Sequence, residues 1–222
     1  MAAELAHVYY AQQLKKSLLP EVLWDDFMMG SLLPDIRYIG VLSRDKTHLN
    51  LELGQVTKSI DSLLPEIKTI FSVSTSNDLI LGFVYHSFVD IWWNKKIHLD
   101  LNFDSASVKI FEDLCLAKNE SIDIPLSVLK KWNNYELLKN IESKDVVDWY
   151  NMLEFWYSNV ALAYVPKFLY GLRFSEDRIT RVMKELKELN SSGKFTTYFE
   201  KKWLEFENFV IRLQPPQAYM SH

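Results

Sequence analysis

The segment LGFVYHSFVDIWWN, Leu81 to Asn94, carries an imidazole and a carboxylate four residues apart, His86 and Asp90. On a helix that spacing puts both on one face, one turn above each other. Gly82, His86, Asp90 and Asn94 then form a polar stripe on a helix that is otherwise apolar nearly all round. A helix of that character belongs in a core. A buried carboxylate is costly unless it is paired or bound to a metal. Two kinds of partner meet that demand: a Lys or Arg from another helix, or a cation. Imidazole nitrogen together with carboxylate oxygen suits zinc, with manganese or iron as alternatives.

Three further residues are candidates for the same chemistry. His7 stands among apolar neighbours in ELAHVYY, as a core histidine or as a ligand. Asp35 lies in GSLLPDI, as a turn or cap residue or as a ligand. His48 follows DKT near an expected helix start, at the surface or in the site. His98 comes eight residues after Asp90. Cys115, the single cysteine, sits between apolar neighbours in FEDLCLAK and reads as a buried structural thiol.

The elements that must position these side chains read mostly as helices. The chain has 222 residues, 48% of them hydrophobic, with six glycines and seven prolines. That composition supports a substantial core and few of the turns an all-β fold needs. Residues 2–19 show helical spacing, and Pro20 suits the first turn of a second helix. Gly30, Pro34 and Gly40 mark an irregular segment or a helix end with a turn. Helices are expected near Lys46, over residues 65–72, from the Ser76 to Asp78 cap to Lys96, and over 104–118 and 125–140. Further ones are expected over 143–165 with Pro166 as the stop, from a Ser175 cap to Gly193, and over 195–213. The fold class is all-α, a single helical domain over 1–222, with a possible subdomain break near 119–125. A TIFSVST run could form a short strand.

The net charge of −4 argues against a nucleic-acid partner, which shows a basic face. No stretch approaches the ~20 apolar residues of a membrane span, and the start lacks a signal-peptide pattern. With one cysteine and no possible internal disulfide, a soluble cytoplasmic protein is expected. The aromatic residues Trp92, Trp93, Trp149, Trp156 and Trp203 either line the mouth of a site or fill the core. The core is the commoner fate of helix-spaced aromatics.

The ordered series LAH, GSLLPDI, THL and LGFVYHSFVDIWWN resembles the zinc-dependent phospholipase C family, which shares its fold with the P1-type nucleases. The resemblance covers about Leu5 to Asn94. It implies a multi-helix bundle of the phospholipase C/P1 nuclease type with metal ions buried among the helices. It implies a main metal held by Asp35, His48, His86 and Asp90, and a second held by His7 and sharing Asp90. It also makes Asp35 a candidate general base. No histidine stands between His98 and His222, so the ligands of a third metal are missing there. One or two zinc ions are therefore expected, and Asn94 stands where short relatives carry a histidine.

A second, weaker resemblance is to acyl-carrier-protein phosphodiesterases, through LAHVYYAQ, the Gly30 to Asp35 element and YFEKKWLEFENFVIRL. Tyr85 precedes His86 where that family carries an adjacent Asp-His pair. Both resemblances imply metal-dependent hydrolysis of a phosphodiester, with water on the metal attacking phosphorus. The substrate would be a phospholipid or a carrier-protein prosthetic group. The alternative is a catalytically silent helical metal-binding or scaffold protein. Tyr85 and Asn94 are candidates for hydrogen-bonding the ligand imidazoles.

Overall fold

The computed structural model describes residues 4–19, 21–41, 43–47, 71, 75–97, 101–118, 122 and 141–210. Every element among them is helical. They are α1 (Glu4–Leu18), α2 (Trp24–Leu32), a 3-10 segment (Leu33–Ile39), α3 (Arg44–Thr47), α4 (Asn77–Lys96) and α5 (Ser105–Leu116). There follow α6 (Ser143–Ser158), a 3-10 turn (Leu162–Tyr164), α7 (Val165–Gly171), α8 (Glu176–Ser191) and α9 (Lys194–Val210). The helices expected over 65–72 and 125–140, the TIFSVST run apart from Phe71, and most of the possible break near 119–125 lie outside the described residues.

Helix α4 is the centre of the core. Its N-terminus is capped by Ser76, whose hydroxyl accepts from the Leu79 N–H at 3.2 Å, and Lys95 and Lys96 stand in its last turn. Both ends follow helix chemistry, an oxygen for the free N–H groups and cations near the free carbonyls. Between them, nearly every side chain from Leu79 to Trp93 is buried. Its main neighbour is α2. The two backbones meet where Gly30 faces Leu79 and Phe83, and Gly82 faces Phe27 and Ser31. A Cβ at either glycine would overlap the carbonyl oxygen of the other helix. The crossing therefore tolerates hydrogen alone at these two positions.

Gly30 is thus an interior residue of α2, not the start of an interruption. The helix changes character later, at Leu33, where Pro34 enters the first turn of the 3-10 segment. Gly40 closes that segment in the left-handed region, at φ 79°, with its N–H on the Arg37 carbonyl at 2.9 Å. The second helix begins at Trp24, four residues after the proline expected to open it. Pro166 does not stop a long helix either. The chain leaves α6 at Ser158, and Pro166 sits in the first turn of α7, where its missing N–H costs nothing. The Ser175 cap, with its hydroxyl on the Arg178 N–H, opens α8 as expected. The apolar stripe Phe199, Trp203, Phe206 and Val210 is the buried face of α9.

Helix α5 ties the bundle together through two adjacent buried carboxylates. Glu112 accepts from Tyr10 of α1 at 2.7 Å, Trp93 of α4 at 2.6 Å and Trp203 of α9 at 3.0 Å. Asp113 accepts from the Ala6 N–H in the first turn of α1 at 3.0 Å and from Trp156 of α6 at 2.7 Å. Trp92 and Trp149 are buried as well, and Trp149 donates to the Leu32 carbonyl at the end of α2. The five tryptophans are buried in the core, and Trp203 also lines a surface cavity with Tyr9, Cys115 and Leu204. Cys115 is buried, as expected, and burial pushes its thiol up to about 11.

Two measurements test this reading. Gly82→Ala will destabilise the protein by at least ~2 kcal/mol in urea unfolding, because backbone cannot move aside as a side chain can. Gly193→Ala, with open space at its Cβ, will change stability by less than ~0.5 kcal/mol. Burial, against the pull of Trp156 and the α1 N–H groups, raises the Asp113 carboxyl to about 7. The native state therefore keeps a proton that the unfolded chain releases near pH ~4. The contribution of this group to stability falls as pH rises from about 4 to 7, by up to ~1.4 kcal/mol per unit. Asp113→Asn lacks that slope, so the stability difference between wild type and variant will narrow over the same interval.

Candidate metal centre

Three elements distant in sequence bring their polar side chains to one point in the core. Helix α1 supplies His7, the 3-10 segment supplies Asp35, and α4 supplies His86 and Asp90. Their exposures are 1%, 0%, 0% and 2%, so solvent does little to screen or satisfy them. The His7 and His86 rings stack, with centroids 3.9 Å apart and planes inclined by 13°. The stack turns both Nε2 atoms towards the two carboxylates. His7 Nε2 lies 3.5 Å from Asp90 Oδ1 and 3.9 Å from Asp35 Oδ2. His86 Nε2 lies 3.8 Å from Asp90 Oδ2 and 3.9 Å from Asp35 Oδ2.

These separations are too long for hydrogen bonds. They approach the spacing of ligands that share an ion. Four donors at ~2.1 Å from a tetrahedral zinc stand about 3.4 Å from one another. His7, His86 and Asp90 offer ligand atoms that all lie within 4.8 Å of one another; Asp35 is not part of that group, though its Oδ2 lies 3.9 Å from both Nε2 atoms. Two further observations fit a metal. Neither ring nitrogen of His7 makes a hydrogen bond to a described residue, despite complete burial. His86 Nδ1 lies 2.8 Å from the Ser31 carbonyl oxygen. A carbonyl only accepts, so Nδ1 carries a proton and Nε2 is the nitrogen that faces the carboxylates. This is the outer hydrogen bond that orients a ligating imidazole.

The crossing of α2 and α4 sets this arrangement. Ser31 follows Gly30, and His86 comes one turn after Gly82, so the close approach delivers the Ser31 carbonyl to the imidazole. Ser31 Oγ is turned away, onto the Phe27 carbonyl at 2.9 Å.

Cations gather beside the cluster. Arg37 Nε lies 3.2 Å from Asp35 Oδ1, and its guanidinium covers the Tyr38 ring at 4.1 Å. Lys109 of α5, 8% exposed, donates to the Tyr38 hydroxyl at 3.1 Å. Burial works to lower the Lys109 ammonium, but Tyr38, Asp35 and Asp90 outweigh it and leave the group raised. Glu4, one turn before His7, is driven the other way: burial, with Asp35 and Asp113 nearby, holds its carboxyl well above the ordinary range.

Of the expected site residues, His7, Asp35, His86 and Asp90 converge. His48 and His98 lie outside the described residues. Asn94 is half-buried near the end of α4. The acceptor on His86 Nδ1 is the main chain of Ser31, not Asn94 or Tyr85. Tyr85 instead packs against Phe27 and Phe88. Sequence reasoning missed Arg37, Lys109 and Glu4. Each left a trace: Arg37 two residues after Asp35, Lys109 as a lone cation in the apolar SVKIF run, and Glu4 on the same helical face as His7.

No protein-family model, curated protein or solved structure matches the chain. The case for a metal therefore stands on this geometry. Zinc added to chelator-treated protein will raise the melting temperature, with a stabilisation of about 2.7 kcal/mol when free zinc is a hundredfold above Kd. His86→Ala and Asp90→Ala will abolish that rise in differential scanning calorimetry.

Proposed function

We propose that this chain is a metal-dependent hydrolase of phosphodiester bonds, of the phospholipase C/P1 nuclease type. The observation that carries the reading is the convergence of two imidazoles and two carboxylates, all buried, from α1, the 3-10 segment and α4. His7, Asp35, His86 and Asp90 would hold a zinc-type ion, with manganese or iron as alternatives. Such an ion acidifies water towards neutral pH and neutralises charge on a phosphoryl group.

The chain's own residues divide the remaining work. His86 is oriented through Nδ1 by Ser31, and His7 is aligned against it by ring stacking. Asp35 keeps Oδ1 towards Arg37 and turns Oδ2 towards the imidazoles, so Oδ2 is the oxygen it would offer to the ion. Arg37 and Lys109 are fixed positive charges beside the cluster. They stabilise negative charge that grows as the phosphorus centre is attacked, in an interior where such fields are weakly screened.

The depth of burial favours one competing reading. Structural metal sites are closed, whereas catalytic ones keep a position open to substrate. An ion held by four side chains with at most 2% exposure suits a silent, stabilising site. Turnover separates the two. Protein purified without a metal-affinity column will contain at least one equivalent of metal by elemental analysis and will hydrolyse bis(p-nitrophenyl) phosphate. Asp90→Ala and His86→Ala will lose metal and at least 100-fold in kcat/KM. Bound metal with no turnover across a panel of phosphodiesters would leave the silent site as the answer.

A further inference from the structure

A cavity of about 170 Å³ opens beside the cluster, between the start of α1, the 3-10 segment, α5, α7 and the start of α8. Its lining is sharply divided. Arg37, Lys109 and Arg178 contribute cationic groups, while Phe168, Leu172 and Phe174 contribute apolar surface. Arg178 is already engaged, with Nη2 3.1 Å from Asp104 Oδ1 at the N-cap of α5. Lys109 is more than nine-tenths buried; it donates to Tyr38 and lies 5.7 and 6.0 Å from the Tyr38 and Trp93 ring centroids, and its one hydrogen bond to a described residue leaves two N–H donors for a ligand. Arg37 joins the cavity to the cluster, since the same side chain lines the cavity and lies 3.2 Å from Asp35. Glu4 Oε2, also at the cavity, is buried without a hydrogen bond to a described residue; as an acceptor it offers nothing to a phosphoryl oxygen, so recognition falls to Lys109 and Arg37.

We propose that this cavity is a recognition site for a compact phosphate ester, its phosphoryl oxygens on Lys109 and Arg37 and its organic substituent against Phe168, Leu172 and Phe174. As a substrate site it rests on the hydrolase reading above. As a binding site it stands on its own lining. The chemistry of each half supports the assignment. A guanidinium and an ammonium together bind phosphate oxygens from two directions, the guanidinium through its fork and the ammonium as a point charge. The apolar wall gives no purchase to bare inorganic phosphate and rewards an attached ring or short chain. The volume is below the ~300 Å³ of pockets that enclose drug-sized ligands, so the enclosed part of the ligand is small.

Calorimetric titration of phenyl phosphate, inorganic phosphate and benzoate into the full chain, before and after chelator treatment, tests the assignment. Phenyl phosphate will bind at least tenfold more tightly than either of the others. Lys109→Met will weaken it by on the order of tenfold or more. Ser105→Phe, which fills the cavity from the half-buried first residue of α5 without removing a charge, will abolish binding while leaving zinc uptake unchanged. Circular dichroism will confirm that both variants fold; if Lys109→Met does not, Ser105→Phe decides alone. Phenyl phosphate binding that ignores both substitutions overturns the site, and benzoate binding equal to phenyl phosphate overturns its preference for phosphate. Cavity-dependent binding in a protein that takes up no metal would keep this assignment and sink the hydrolase. Normal zinc uptake with cavity-independent binding would do the reverse.

Discussion

The placement of Asp35 against His86 and Asp90 follows from the contact of two helix backbones at Gly30 and Gly82. With no Cβ on either residue, α2 and α4 approach until each helix meets the other's main chain. That approach brings the Ser31 carbonyl within 2.8 Å of His86 Nδ1. It also holds the 3-10 segment that leaves α2, and with it Asp35, against the face of α4 that bears His86 and Asp90. A larger residue at the crossing would separate the helices by roughly the width of a methyl group and break the imidazole–carbonyl bond first. Backbone contact is stiff, because main-chain atoms cannot rotate away as side chains do.

Among the described residues the cluster and the Glu112–Asp113 pair are two concentrations of buried charge, and they are handled differently. Glu112 and Asp113 of α5 are satisfied by N–H and O–H donors from α1, α4, α6 and α9. Those carboxylates act as knots: each ties helices that share no continuous sequence, and each is saturated. Asp35 and Asp90 face imidazole nitrogens across gaps longer than a hydrogen bond. Asp35 is also paired with Arg37, at 3.2 Å. Arg37 and Lys109 offset part of the negative charge, and both also line the neighbouring cavity.

Much of the helical architecture was readable. The Ser76 and Ser175 caps, the lysines ending α4, and the apolar stripe of α9 each have a local cause and appear where that cause puts them. The misread boundaries involve proline and glycine. Pro166 opens a helix and Gly30 lies inside one, because both residues have two structural uses and only the surrounding contacts select between them. The tryptophans show the same ambiguity: helix spacing could not tell whether their N–H groups faced solvent or a buried carboxylate.

Residue types and spacing alone determined that α4 would be a buried helix with His86 and Asp90 on one face, and that His7 and Asp35 were candidates to join them. The rise of a helix fixes such same-face relations within one element. Only the tertiary structure decided that the four meet, that the His7 and His86 rings stack, that a main-chain carbonyl sets the His86 proton, and that Arg37 and Lys109 stand alongside. Those facts depend on how closely separate helices cross, which is governed by small residues at the contact and by buried polar ties between elements far apart in the chain.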